Sequence, residues 1–219
     1  MGANSVSTNP GSGTPTVVVR NNRALAVRTL TYNRESADDT PDERIERTTY
    51  DPAGWLQSRI DPRFFGATGS PNFVYVSSLS GQTLRTDSVD AGTQWALANV
   101  DGRPVWARHA RGTVMTWTYD ALGRPLTVTE AGNGDPPAVR DVWCYGEAEP
   151  DAQAHNLRGQ CVRCYDTAGQ LVWSGFRLTG EAVDETRRLL ADAEAEADWS
   201  GQNETMWERA LEPTGYQTA

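Results

Sequence analysis

"TWTYDALGRPLTVTE", residues 116–130, alternates polar and apolar residues on both sides of a central Tyr119-Asp120-Ala121-Leu122-Gly123. Asp120 stands where its carboxylate can accept hydrogen bonds from the next backbone N–H groups, and Gly123 stands where a left-handed backbone is needed. That pairing specifies a type I turn closed by a glycine bulge. Met115, Trp117 and Tyr119 fall on one face of the incoming strand, and Leu126 and Val128 on one face of the outgoing strand. The stretch predicts a half-buried β-hairpin.

Its centre returns as "TTYDPAGWLQS" at 48–58 and "RCYDTAGQLVW" at 163–173. A looser form, a glycine followed by a polar residue and soon by an apolar one, occurs at Gly54, Gly81, Gly102, Gly123, Gly159, Gly169 and Gly180. The intervals are 27, 21, 21, 36, 10 and 11 residues. Ten residues make one strand and one turn, and 21 make about two of each, at roughly 3.3 Å per strand residue. The predicted structural turns are therefore led by Asp51, Asp120 and Asp166 and closed by these seven glycines. The fold class that follows is all-β, an array of antiparallel β-hairpins.

Composition sets limits. Of the 219 residues 38% are hydrophobic, low for a closed sandwich, while 8 Trp and 7 Tyr supply broad side chains suited to strand faces. An extended, twisted sheet with one face covered is the expectation, running as one repeat array over 16–219. A net charge of −9 argues against nucleic-acid binding, which needs clustered Lys and Arg to neutralise phosphates. No apolar run approaches the ~20 residues of a membrane span. Residues 1–15, "MGANSVSTNPGSGTP", read as a flexible leader without the apolar core of a signal peptide. Met1-Gly2 fails as a myristoylation site because Val6 occupies the position that needs Ser or Thr.

Between the turns, "RESADDTPDE" (34–43), "AGNGDPP" (131–137) and "GEAEPDAQAH" (146–155) read as loops, the last two filling the 36-residue interval. Residues 181–197, "EAVDETRRLLADAEAEA", have high helix propensity but begin at a repeat glycine, so 181–190 is expected as strand and 191–198 as loop or frayed helix. "ETMWERALE", 204–212, predicts a short C-terminal helix.

Groups able to carry chemistry are few. Cys161 and Cys164, with Cys144 and His155, match zinc-ligand spacing, but the pair lies on a strand, where positions three apart face opposite ways. Buried thiols are the preferred reading, with no metal and no other cofactor, and three cysteines fit synthesis in a reducing compartment. Asp51 and Asp61 each precede proline at a turn, which outweighs a paired-aspartate acid–base site. His109 and His155 lie away from any Gly-x-Ser-x-Gly elbow, and there is no phosphate loop. The sequence predicts no catalytic residue and no enzyme.

The Tyr-Asp-x-x-Gly hairpins at 50, 119 and 165 resemble Rhs or YD repeats. The ordered series "TPTVVVRNNRALAVRTLTYNR", "YDPAGWLQSRIDPRFF", "SLSGQTLRTDSVDAGTQWALANVDGRPV", "NLRGQCVRCYDTAGQLVWSGFRLTGEAV" and "ADWSGQNETMW" resembles, more narrowly, the N-terminal portion of the C subunit of bacterial insecticidal toxin complexes. That resemblance spans about Thr14 to Tyr216. It implies a segment of a curved YD-repeat shell, wound together with a B subunit around a C-terminal toxin and delivered through an A-subunit channel. It also implies secretion without a recognisable signal peptide, after synthesis in the bacterial cytoplasm. Family members continue into more repeats, a self-cleaving core and a variable toxin, so a fragment or truncated product is expected. The aspartates of that core have no counterpart in Asp51 or Asp61. The alternative reading is a secreted or surface YD-repeat module that stacks carbohydrate on exposed Trp and Tyr. A shell would pack Trp117 and Tyr119 or turn them to its lumen, whereas a glycan binder would line an open groove with Trp.

Overall fold

The computed structural model describes residues 11, 13–66, 70–132, 134–201 and 203–217. Most of the expected leader over 1–15 lies outside them. The chain divides into two compact units, Met1–Ala96 and Leu97–Ala219. The architecture is all-β and antiparallel, with one short helix.

In the first unit β1 (Val17–Arg20), β2 (Ala26–Asn33), β3 (Asp42–Tyr50), β4 (Leu56–Ile60), β5 (Phe73–Ser77) and β6 (Thr83–Ser88) pair in chain order, and β7 (Gly92–Ala98) runs across the boundary. β-Branched and aromatic residues at alternate positions, as in Phe73-Val74-Tyr75-Val76, favour these strands. This unit buries little: Ile60 is its one buried hydrophobic residue among those described, and Asn72 its one buried polar residue. Asn72 earns its burial through bonding. Its Oδ1 accepts from Asp61 N at 2.8 Å, its Nδ2 donates to Asp61 Oδ2 at 2.9 Å, and its carbonyl accepts from Val89 N at 3.1 Å. Arg63 bridges Asp61 and Asp90, so the loops after β4 and β6 are tied at one sheet edge.

The second unit holds β8 (Pro104–Arg108), β9 (Val114–Tyr119), β10 (Pro125–Ala131), β11 (Ala138–Tyr145), β12 (Cys161–Asp166), β13 (Gly169–Val172), β14 (Thr186–Leu189) and β15 (Tyr216–Gln217), again paired in chain order. Here one face is covered. After β14 the chain returns across β11 and β12 and carries α1 (Glu204–Trp207), burying Ala197, Trp199, Trp207 and Leu211 against Val142 and Tyr165. Trp199 and Trp207 meet Tyr165 at tilted and edge-to-face angles, 5.2 and 4.9 Å between ring centroids. A second cluster, Ala152, Leu157 and Val162 with Phe176, sits under the 146–160 excursion.

Three local expectations change. Strand over 181–190 shrinks to Thr186–Leu189, because Asp184 turns back to accept from Ser174 N and Oγ and Val183 N bonds Gly175 O. The helix of 204–212 closes after Trp207 and tightens to a 3₁₀ turn over Glu208–Ala210. Leu126 and Val128 part company, since a bulge separates Pro125↔Tyr119 from Thr127↔Thr118, and Leu126 joins Thr127 along a groove while Val128 stands opposite Trp117.

Candidate functional site

The recurrent turn is the chain's most repeated piece of chemistry. At Asp120 the carboxylate accepts from Leu122 N at 2.9 Å and Arg124 N at 2.8 Å, Gly123 N bonds Asp120 O, and Asp120 N bonds Arg124 O. Gly123 sits at φ +78°. The same ring of two backbone bonds closes Asp51–Trp55, Ser78–Gln82 and Asn99–Arg103, with Asp51, Ser78 and Asn99 each accepting a backbone N–H on the side chain. Gly54, Gly81 and Gly102 occupy the left-handed position. An acceptor at the first position and a residue tolerant of positive φ at the fourth therefore suffice, and aspartate is one option among several.

Two turns of this design escaped sequence reading. His109–Gly112 closes in the same way and divides the 21-residue interval between Gly102 and Gly123 into 10 and 11; that subdivision was the available signal. Asn21–Ala24 closes in the same way but holds alanine at φ +60°, and a search keyed to glycine passes over it. The remaining predicted turn residues vary. Gly180, at φ +88°, closes Arg177–Glu181 with the same two backbone bonds, but behind an arginine in place of an acceptor side chain and in a small hairpin bridged at Phe176↔Ala182. Gly159 lies inside the 146–160 excursion at φ +81°. Asp166 and Gly169 face each other across a two-residue turn, and Asp166 Oδ1 accepts from Ala168 N and Gly169 N while Arg187 clamps its carboxylate at 2.5 and 2.7 Å.

In an antiparallel array paired in chain order, alternate turns share a sheet edge, and neighbouring turns on that edge interlock. The tyrosine that ends one strand donates its hydroxyl to the carbonyl just past the previous turn: Tyr50 to Ala26 O at 3.0 Å, Tyr119 to Pro104 O at 2.7 Å, Tyr145 to Pro125 O at 3.0 Å. The arginine that follows a turn lies over that next tyrosine, Arg124 at 3.9 Å from the Tyr145 ring centre and Arg103 at 5.8 Å from Tyr119. Glycine is needed below it. A Cβ on Gly123 would strike the Arg103 guanidinium, one on Gly54 the Arg23 guanidinium, and one on Gly81 would sit 2.6 Å from the Trp55 ring. Tyr-Asp-x-x-Gly thus encodes a hook, a turn and a recess for the neighbour's side chain.

Burial of Asp120 disfavours its charge, but the Arg124 N–H and guanidinium outweigh this and hold the carboxyl below the usual range. Burial likewise opposes the charge of Asp166, and Arg187 reverses it. At Asp141 no cation offsets this among the described residues, so burial, with the Asp166 charge behind it, raises its pKa.

Under the covering segment, Glu204 accepts from Arg163 Nη2 at 3.1 Å and from the Tyr165 hydroxyl at 3.3 Å, and Arg140 donates to Ala197 O and Glu196. A groove of about 520 Å³ opens beside it, lined by Leu126, Val139, Val142, Trp143 and the buried edges of Trp199 and Trp207. Cys144 Sγ lies 3.5 Å from Glu204, and burial first, then that carboxylate, pushes its thiol up to about 12. Burial does the same to Cys164, to about 12. Among the described residues no three His, Cys, Asp or Glu side chains converge as metal ligands.

Comparison with known proteins places this arrangement. No family model matches. The chain is 35% identical over 217 residues to "Toxin subunit YenC1" of Yersinia entomophaga, covering 94% of this chain and 22% of that protein. It is also 35% identical over 228 residues to "Toxin subunit YenC2" of the same organism, covering 94% and 23%. The chain therefore spans about a fifth of the length of these relatives. Among solved structures, TcdB2-TccC3 superposes with a TM-score of 0.84 at 37% identity, over 93% of this chain and 10% of that one. A Photorhabdus luminescens Tc holotoxin pore gives 0.85 at 36%, over 95% and 10%.

Proposed function

As the chain belongs to the family of C subunits of bacterial insecticidal toxin complexes, built on Rhs/YD repeats, we propose that it is a wall segment of such a complex's β-shell. In this reading it is a structural, non-catalytic part of the enclosure for a C-terminal toxin. The observation that carries it is the hairpin array itself, which superposes on TcdB2-TccC3 with a TM-score of 0.84 over 93% of the chain. Interlocked rims suit a wall: every tyrosine hook and arginine stack bonds neighbouring hairpins, so stiffness accrues along the sheet without a thick core. The partners are a B subunit and, through it, an A-subunit channel, in keeping with likenesses to a B–C pair and a holotoxin pore. The protein acts outside the cell that makes it, as part of a secreted complex.

The aromatic residues weigh against carbohydrate stacking. Trp199 and Trp207 are buried against Tyr165, Tyr119 is hooked to Pro104, and the exposed Trp55 and Trp95 are partly occupied by Gly81 and by the Arg85 guanidinium. The test replaces the matching segment of TccC3 with this chain and examines the product with TcdB2 by electron microscopy. Closed hollow particles are expected. A soluble chimaera that never forms particles would refute the wall assignment.

A further inference from the structure

Turn tips ordinarily carry Gly, Asn, Asp, Ser or Pro, because the two central residues of a type I turn face water. One edge of the second unit departs from this. Val100 is the second residue of the turn Asn99–Gly102, Leu122 the third of Asp120–Gly123, and Leu178 the second of Arg177–Gly180. They are 101%, 73% and 94% exposed, so nothing in the chain touches most of their surface. All three turns follow odd-numbered strands and so lie on the same sheet edge. The short turns of the opposite edge put Ala110 and Arg111, Asp135 and Pro136, and Thr167 and Ala168 in the exposed places, with no large exposed apolar residue among the described residues of those turns. In the first unit Leu79 of the turn Ser78–Gly81 has the same placement and is fully exposed, but Val89, 58% exposed, stands at a turn of the opposite edge, so the one-sided pattern belongs to the second unit.

We propose that these aliphatic tips are a docking edge for a second row of hairpin turns, supplied by the partner subunit of the toxin complex. The inference rests on the wall assignment above and goes beyond it by naming the contact residues. Two features select this occupant. Turns on one edge recur every second strand, so Val100 and Leu122 stand about 9–10 Å apart, a spacing that another antiparallel hairpin edge reproduces. Their surroundings are of mixed charge, with Asp101, Asp120 and Glu181 beside Arg103, Arg124 and Arg177, and the chain carries −9 overall. An anionic membrane surface would repel such a protein, whereas an apolar comb with a mixed-charge rim suits a protein interface.

The experiment compares the full chain with a variant carrying Val100→Ser, Leu122→Asn and Leu178→Ser, residues that turn tips accept. Circular dichroism and the melting temperature check that the fold is kept, and fluorescence anisotropy measures binding to purified TcdB2. We expect unchanged folding and binding weaker by about a hundredfold or more. Equal binding by both proteins overturns the tip assignment while leaving the wall assignment standing. No binding by either overturns it as well, and the chimaera experiment then reports on the wall separately. Tip-dependent flotation with phosphatidylcholine–phosphatidylserine vesicles, or tip-dependent self-association without TcdB2 binding, would also overturn it by naming a different occupant.

Discussion

Gly123→Ala tests the interlocked rim most directly. Two costs are built into that position. The first is conformational, since alanine at φ +78° carries a left-handed penalty of about 1–2 kcal/mol. The second comes from the neighbour. The new Cβ would enter the Arg103 guanidinium, whose Nη1 is buried without a hydrogen-bond partner and whose charge lies over the Tyr119 ring. Arginine is flexible, so it moves rather than forcing the backbone, and it loses a stacking contact worth about 0.5–1 kcal/mol. The sum is about 1.5–3 kcal/mol. Gly159→Ala supplies the control, because Gly159 has φ +81° and open space around it, so only the first cost of about 1–2 kcal/mol applies. Arg103→Ala supplies the second control: in that background Gly123→Ala should fall back to the conformational cost, a coupling of about 0.5–1 kcal/mol. Urea unfolding followed by fluorescence, with an unchanged slope, reads the three single variants and the double variant against the parent chain. Equal losses at Gly123 and Gly159, or no coupling with Arg103, would refute the stacking account and leave glycine there for its backbone alone.

Ala24→Gly should raise the urea midpoint by the equivalent of about 0.5–1 kcal/mol, since it relieves alanine at φ +60° where sister turns hold glycine. Tyr145→Phe removes the hydroxyl from Pro125 O but keeps the ring under Arg124, so a loss of about 0.5–1.5 kcal/mol is expected in the same assay. Asp141 has a folded pKa above its unfolded value, so its ionisation costs stability as pH rises through the folded pKa. Asp141→Asn should therefore stabilise the protein at pH 7 and much less at pH 3, as melting curves at the two values would reveal. Asp166 is the opposite case, with a depressed folded pKa: its contribution is present above the unfolded pKa and lost as pH falls through the folded one, and Asp166→Asn should flatten the acid limb of the stability profile. With their pKa values near 12, Cys144 and Cys164 should resist iodoacetamide at pH 8 until urea unfolds the second unit, which mass spectrometry would detect.

Local chemistry was enough to make the hairpins legible. An acceptor such as Asp120 followed three residues later by Gly123 satisfies its own backbone within five residues, so turn and flanking strands follow from neighbours in the chain. Chain-order pairing follows too, because short turns leave each strand no nearer partner than the next. What lay beyond reach depends on residues far apart in sequence. Gly123 looks like a turn residue in the sequence, and only the folded array shows that Arg103 fills the space a side chain would need. Segment 181–198 was ambiguous because its propensity favours helix, while bonds from Ser174 and Gly175 hold its start away from the ladder and Arg140 and Val139 hold its end. Nothing local marks Trp199, or Trp207 in its expected helix, as core residues; they close over Tyr165 because residues 197–211 double back across β11 and β12. The exposure of Val100, Leu122 and Leu178 was likewise invisible, since the turn pattern tolerates apolar residues at those places and says nothing of what covers them. Sequence by itself decided the turns, whose bonds are local; tertiary structure decided which faces and tips stay bare, because burial depends on where the rest of the chain comes to lie.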